Sequence, residues 1–183
     1  MISNHLVCHP GFPCPAVRQL SVNVQCLPDK GLFLQYHLQG DLQQLRIPEL
    51  QAPAMTDGLW QHTCFEAFIA REGGASYQEF NFSPSQQWAA YLFDDYRIRN
   101  PNWLSRHRYT IYPRGDADNL WVDVVIPLAE LALVAPGQIG RLGLTAVIET
   151  VEGGLSYWAL RHPAEKPDFH HSGGFICPIN LSR

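Results

Sequence analysis

The chain has 183 residues, of which 46% are apolar and 16% charged, with a net charge of −4 at pH 7. That length lets one compact domain bury roughly 70% of the surface its unfolded chain would expose, so a core needs neither disulfides nor a structural metal. Two lysines (Lys30, Lys166) and scattered arginines build no basic stripe, so nucleic acid is not the expected partner; no apolar run approaches the ~20 residues of a membrane-spanning helix.

Residues 1–14 read as an irregular N-terminal segment without the basic and apolar blocks of a secretory signal. The cysteines are odd in number, 5 in all, and lack CxxC spacing, which fits reduced thiols in a cytoplasmic protein. Cys8 and Cys14, with His5 and His9 nearby, offer metal-ligand chemistry. Their spacing matches no common zinc pattern, and a loop of unconnected thiols is the alternative.

Beyond this segment, apolar residues recur two apart. Leu20, Val22, Val24 and Cys26 mark one strand, and Leu32, Leu34, Tyr36 and Leu38 the next, across the Pro28-Asp29-Lys30-Gly31 turn. Strands follow over 62–70, 77–83 and 87–93. Then come Leu120 to Ile126, Leu142 to Ile148, and Tyr157 to Leu160. Turn signals such as Gly73-Gly74, Ser83-Pro84, Pro136-Gly137 and Gly153-Gly154 lie between them. Only Pro127 to Leu133 has a helical pattern, one or two turns at most. The spacing predicts an all-β, antiparallel, jelly-roll-like sandwich, a single domain over 1–183 with at most one short helix.

The central hairpin predicts its own register. Folding 62–70 onto 77–83 about Gly73-Gly74 sets Phe65 opposite Phe82, Ala67 opposite Phe80, and Glu66 opposite Asn81. A slip of one residue would mix aromatic and polar side chains on both faces. Strand 87–93 then sets Phe82 opposite Trp88 and Tyr91 opposite Glu79. The core face becomes Phe65, Phe80, Phe82, Trp88 and Leu92, while the reverse face carries Glu66, Glu79, Asn81 and Tyr91. Such a ladder on a central sheet needs hydrogen bonds or water. It is either a solvated outer face or closed polar network, or the floor of a ligand site. Cys64 and Phe68 on the same face indicate partial cover, and paired acceptors and donors suit a hydroxyl-rich ligand.

The late segment gathers His162, Lys166, Asp168, His170 and His171 between Pro163 and Pro167. Asp168 is either a loop clasp, paired with Lys166, Arg161 or a histidine, or a ligand contact.

The motifs Thr63-Cys64-Phe65-Glu66-Ala67-Phe68, Tyr77-Gln78-Glu79-Phe80-Asn81-Phe82-Ser83-Pro84 and Trp88-Ala89-Ala90-Tyr91 resemble those of the DOMON-like ligand-binding domains, related to family 9 carbohydrate-binding modules. Tyr157-Trp158-Ala159-Leu160, His162-Pro163 and Lys166-Pro167-Asp168-Phe169-His170-His171 resemble the bacterial soluble branch of that group, and the likeness spans roughly residues 15 to 180. It implies a β-sandwich that binds sugar between aromatic rings over polar side chains, often with calcium nearby, or binds haem. Trp60, Trp103 and Trp158 are the available clamps; Trp103 follows Asn100-Pro101-Asn102 in a loop and is the expected exposed ring, whereas Trp158 and Trp121 sit in strands and are expected to be buried. For haem, such relatives use a methionine and a histidine; beyond Met1 only Met55 is present here, and a histidine pair would have to serve.

The expected function is therefore non-catalytic binding of a small polar ligand, plausibly a saccharide, through Glu66, Glu79, Asn81, Tyr91, Arg97, Trp103, His162, Lys166, Asp168 and His170. Two alternatives stand beside it: haem or metal held by His162, His170 or His171, and glycoside hydrolysis by the Glu66/Glu79 pair. GxSxG, HExxH and phosphate-cradling motifs are absent.

Overall fold

The computed structural model describes residues 2–135 and 137–181. Twelve strands run in chain order: β1 (Ile2–Cys8), β2 (Val17–Leu27), β3 (Gly31–Gly40), β4 (Cys64–Arg71), β5 (Tyr77–Phe82), β6 (Trp88–Asp95), β7 (Ile98–Arg99), β8 (Ile111–Gly115), β9 (Asn119–Pro127), β10 (Ile139–Glu149), β11 (Leu155–Ala159) and β12 (Cys177–Asn180). They pair in the order β7-β6-β5-β4-β10-β11-β1-β2-β3-β9-β8, with β12 beside β10, and every strand pair is antiparallel. This is the antiparallel β-sandwich that the alternation predicts.

The two layers join through β1. Its residues 2–6 pair with β2, whereas Val7 and Cys8 pair with β11. The N-terminal segment is thus a strand rather than irregular chain. Only Leu6 is buried in the core, with Cys8 packed against it, while Ile2 and Val7 stay exposed, so the alternation that marks the other strands is weak. β8 and β12 were also unmarked in the sequence; each contains a proline (Pro113, Pro178), and β8 is an outermost strand, where no ladder donor is lost.

Between the layers the inward side chains interlock: Leu32, Leu34, Tyr36 and Leu38 from β3 face Phe65, Ala67, Ile69, Phe80 and Phe82 from β4 and β5. Tyr36 spans the gap, its ring 5.0 Å from Phe65 and its hydroxyl donating to the Glu66 carbonyl at 2.7 Å. Trp88 and Trp158 belong to this core as expected, while Leu92 is only half-buried. The Pro127–Leu133 helix shrinks to a 3-10 turn at Leu128–Glu130; similar turns lie at Leu42–Gln44, Leu59–Gln61 and Ser172–Gly174.

The two outer faces differ, and that difference makes the site. Outside β2, β3 and β9, Asn23, Gln35, His37 and Asn119 form a half-buried amide and imidazole ladder. Trp121 lies there too, stacked on His37 at 4.6 Å and half-exposed rather than buried. Outside β4, β5 and β6 nearly every residue is buried. The loop before β4 and the segment 161–176 fold over this face. Leu59 from the loop and Phe175 from the segment join Cys64, Phe68, Tyr77, Tyr91 and Phe93 in a second apolar cluster.

Candidate ligand-binding cleft

Hydrogen-bonded register lays the floor out as a lattice. One row runs Tyr91 (β6), Glu79 (β5), Phe68 (β4), Gly143 (β10); the next runs Ala89, Asn81, Glu66, Thr145. A third pairs Cys64, Val147 and Tyr157. The predicted pairings of Glu66 with Asn81 and Glu79 with Tyr91 are observed. The solvated-face reading fails: Glu66 is 2% exposed, Glu79 5% and Asn81 0%.

Above the floor opens a cleft of about 940 Å³, near the upper end of small-molecule sites. Glu66, Phe68, Glu79, Tyr91, Phe93 and Val147 line its base; Asp57, Gly58, Trp60 and Gln61 form one wall. Leu155 and Tyr157 stand on β11, Arg97 and Arg99 at the β6–β7 hairpin, and Pro167, Phe169 and His170 on the covering segment.

The polar groups are tied in from below and from the sides. Thr145 donates from Oγ1 to Glu66 Oε2 at 3.1 Å. Asn81 Nδ2 donates to Glu79 Oε1 at 2.8 Å, while Asn81 Oδ1 is buried without a partner. Burial, with the neighbouring Glu79 charge, pushes the Glu66 carboxyl well above its ordinary range. Burial likewise raises Glu79 to about 7, against the Asn81 hydrogen bond and the positive charges of Arg97 and Arg99. Tyr91 donates to Asp57 Oδ1 at 2.6 Å, and its ionisation is pushed up by burial and by that carboxylate.

His170 is oriented by a chain of bonds. The Arg97 backbone N–H donates to the Tyr77 hydroxyl at 3.0 Å, and that hydroxyl lies 2.8 Å from His170 Nδ1. Nδ1 is an acceptor within reach of the Tyr77 hydroxyl hydrogen, and in that tautomer the imidazole hydrogen is on Nε2, 3.7 Å from Glu79 Oε2. Burial and the Arg97 charge lower the His170 pKa to about 4, so the ring is neutral at pH 7. Phe68 and Phe93 meet it edge-on, at 5.3 and 5.1 Å.

Asp168 is the clasp, tied to the neighbouring His170 through its backbone and otherwise to Arg97 and Tyr96 rather than to Lys166 or Arg161. Its Oδ1 accepts from Arg97 Nη2 at 2.9 Å and from the His170 backbone N–H at 3.2 Å; Oδ2 accepts from Tyr96 at 2.7 Å. Burial works to raise its pKa, but these bonds outweigh it and hold the carboxyl below its usual range. The clasp fixes the covering segment to the Tyr96-Arg97 turn, where Arg97 is held at φ 57°, a left-handed conformation that is uncommon for a long side chain.

Five predicted site residues thus converge on the cleft: Glu66, Glu79, Tyr91, Arg97 and His170. Asn81 lies beneath it and acts on it only through Glu79. Asp168 acts through Arg97, and Lys166 is exposed outside the lining. His162 faces the N-terminal strand, its Nε2 2.9 Å from the Val7 carbonyl and its ring 4.8 Å from His9. Trp103 is displaced from the expected role: Asn100 Oδ1 accepts from its backbone N–H, and the ring packs on the core instead. The exposed tryptophan is Trp60, 50% accessible on the cleft wall.

Arg99, Asp57, Tyr157 and Phe169 line the cleft in addition to the contacts expected from sequence. For Arg99 a signal existed, since Arg97-Ile98-Arg99 repeats a cation at the two-residue strand period. Asp57 and the aromatic pair had none, because long-range folding brings them in.

The histidines named for haem or metal do not meet. His162 and His170 have the separate contacts above, and His171 Nδ1 accepts from Gly173 N at the Ser172–Gly174 turn. Among the described residues no three His, Cys, Asp or Glu side chains are grouped to hold an ion. The histidine set offered for haem or metal is thus dispersed, and the five cysteines are free, Cys8 and Cys14 included.

No protein-family model and no curated protein matches the sequence. Among solved structures, a putative carbohydrate-binding protein from Bacteroides uniformis superimposes with a TM-score of 0.72 at 16% identity, over 96% of this chain and 84% of that one. A family 9 carbohydrate-binding module from Caldicellulosiruptor kristjanssonii matches in two complexes, each with a TM-score of 0.53. With glucose the identity is 11%, over 90% of this chain and 78% of the module. With cellotriose it is 10%, over 97% and 83%. What is shared is the fold. At such low identity the contacts of those modules do not transfer residue by residue.

Proposed function

We propose that the chain is a non-catalytic binding domain for a small saccharide, held in the cleft between β4–β6 and the segment 161–176. The observation that carries this is the combination of an exposed indole, Trp60, with two buried carboxyl groups, Glu66 and Glu79, in one cleft. Aromatic faces at Trp60, Tyr157 and Phe169 suit the apolar faces of a sugar ring. Burial raises the pKa of both carboxyls, and a protonated carboxyl both donates and accepts, as paired hydroxyls require. The fold shared with modules bound to glucose and cellotriose supports the same reading. The motif likeness supports reading the chain as a DOMON-like domain, one unit over 1–183. The free cysteines support a cytoplasmic location.

Trp60→Ala is expected to weaken saccharide binding by about 2 kcal/mol, as loss of a central aromatic contact does. The melting temperature should stay unchanged, because the ring is half in solvent. A glycan array followed by calorimetry of the selected sugar tests this. Wild-type affinity in the variant, or a blank array, would refute it. A site that only binds predicts no turnover of aryl glycosides, and turnover lost in Glu79→Gln would instead assign hydrolysis to the Glu66/Glu79 pair.

A further inference from the structure

Arg99 sits on the cleft rim without a protein anion. Among the described residues it makes no ion pair and no side-chain hydrogen bond, whereas Arg97 is paired with Asp168. Its guanidinium carbon lies 4.1 Å from the centre of the Tyr91 ring, so the plane is pinned on an aromatic face while its N–H edge stays free. Tyr91 is itself anchored to Asp57. Two residues earlier, Arg97 spends Nη2 on Asp168 and Nε on Tyr96, which leaves Nη1 without an acceptor among the described residues. Its left-handed backbone is held by the bond from Arg97 N–H to Tyr77. Two guanidinium groups, both oriented by aromatic and carboxylate neighbours, therefore border one cleft with donors unspent. Pre-oriented guanidinium donors match the planar or tetrahedral oxygens of an anion better than lone hydroxyls.

Resting on the saccharide reading above, we infer that the sugar bound in this cleft carries an anionic group, a carboxylate or a phosphate, which docks on Arg97 and Arg99 at the rim. The uncharged part of the ring then lies over Glu79 and against Trp60. Among the described residues Asp57 forms no ion pair with either guanidinium group, and its Oδ1 accepts from Tyr91.

Calorimetry with glucose, glucuronate and glucose 6-phosphate tests the inference. At least one charged sugar should bind about tenfold more tightly than glucose, and the advantage should shrink in about 0.3 M salt. Which charged sugar gains distinguishes carboxylate from phosphate. Arg99→Gln should cut that advantage about fivefold or more, while Arg99→Lys should keep part of it. Arg18→Gln, on the opposite layer and paired with Asp118, should leave it intact. Glucose binding as tightly as both charged sugars, or an advantage untouched by Arg99→Gln, overturns the anion inference and leaves the saccharide reading in place. Binding of none of the three overturns both.

Discussion

Gly143→Leu is expected to cost about 1–3 kcal/mol of stability and to abolish saccharide binding with it. Gly143 lies in the floor row beside Phe68, on the face that the segment 161–176 covers. A Cβ built there would stand 2.5 Å from Phe175 Cδ1, 3.0 Å from Cε1 and 3.4 Å from Phe68 Cβ. Phe175 is stacked on Phe68 with ring centres 5.7 Å apart and meets Tyr77 edge-on at the same distance. A leucine must therefore evict Phe175, and with it the end of the segment that carries Phe169 and His170 into the cleft. Chemical denaturation and calorimetry on the same variant separate the two effects. Phe175→Ala should cost about 3–5 kcal/mol by deleting the ring itself. If clash is the cause, Gly143→Ala together with Phe175→Ala should cost less than the sum of the two singles. Full additivity, or a Gly143→Leu protein that binds sugar normally, would show that the covering segment does not depend on this contact.

The same covering explains which parts of the site the sequence could disclose. The hairpin register was legible because Phe65, Phe80 and Phe82 alternate with Glu66, Glu79 and Asn81 about a glycine turn, and a slip would have buried the wrong set. Alternation reveals which face a side chain takes. It does not reveal depth. Asn81 shares its face with the ligand-contact candidates, yet it lies at full burial beneath Glu79. Trp103 failed for a local reason, since Asn100 caps the backbone of its turn and directs the ring inward. Trp60 emerged as the exposed ring because Gly58, at φ 78°, begins the short turn that carries it along the wall. β1 stayed hidden because a strand that switches layers and turns only Leu6 and Cys8 inward leaves almost no periodic trace. Asp57, Tyr157 and Phe169 reach the cleft only through contacts between distant parts of the chain, which no local pattern encodes.

Stability is expected to fall as pH rises from about 5 to 8, and Glu79→Gln to remove much of that fall. In the unfolded chain Glu79 titrates near 4.5; in the folded chain burial raises it to about 7. The folded state then holds the extra proton across that window, so the stabilisation it brings is complete below about 4.5 and lost as pH rises through about 7. Glu66, also raised by burial, adds a loss of the same sign. His170 acts oppositely: its folded pKa is depressed from 6.5 to about 4, so its contribution is present above 6.5 and lost as pH falls towards 4. Two carboxyls against one imidazole leave a net decline with rising pH; the opposing imidazole fades as pH passes 6.5, and the Glu79 share fades as it passes about 7. Each proton contributes a slope of at most about 1.4 kcal/mol per pH unit, so urea denaturation at pH 5 and pH 8 should show the gap narrow by about 1–3 kcal/mol in Glu79→Gln. Glutamine keeps an oxygen for Asn81 Nδ2 and cannot ionise, which makes it the clean replacement. His170→Asn should act on the acid side alone, because its carbonyl can take the place of Nδ1 opposite Tyr77. An unchanged pH profile in Glu79→Gln would mean that the carboxyl is not held neutral by the fold. Arg99→Gln supplies a second check: removing a cation that lowers the Glu79 pKa should move the alkaline decline to higher pH, and an anionic sugar bound at Arg99 should move it the same way.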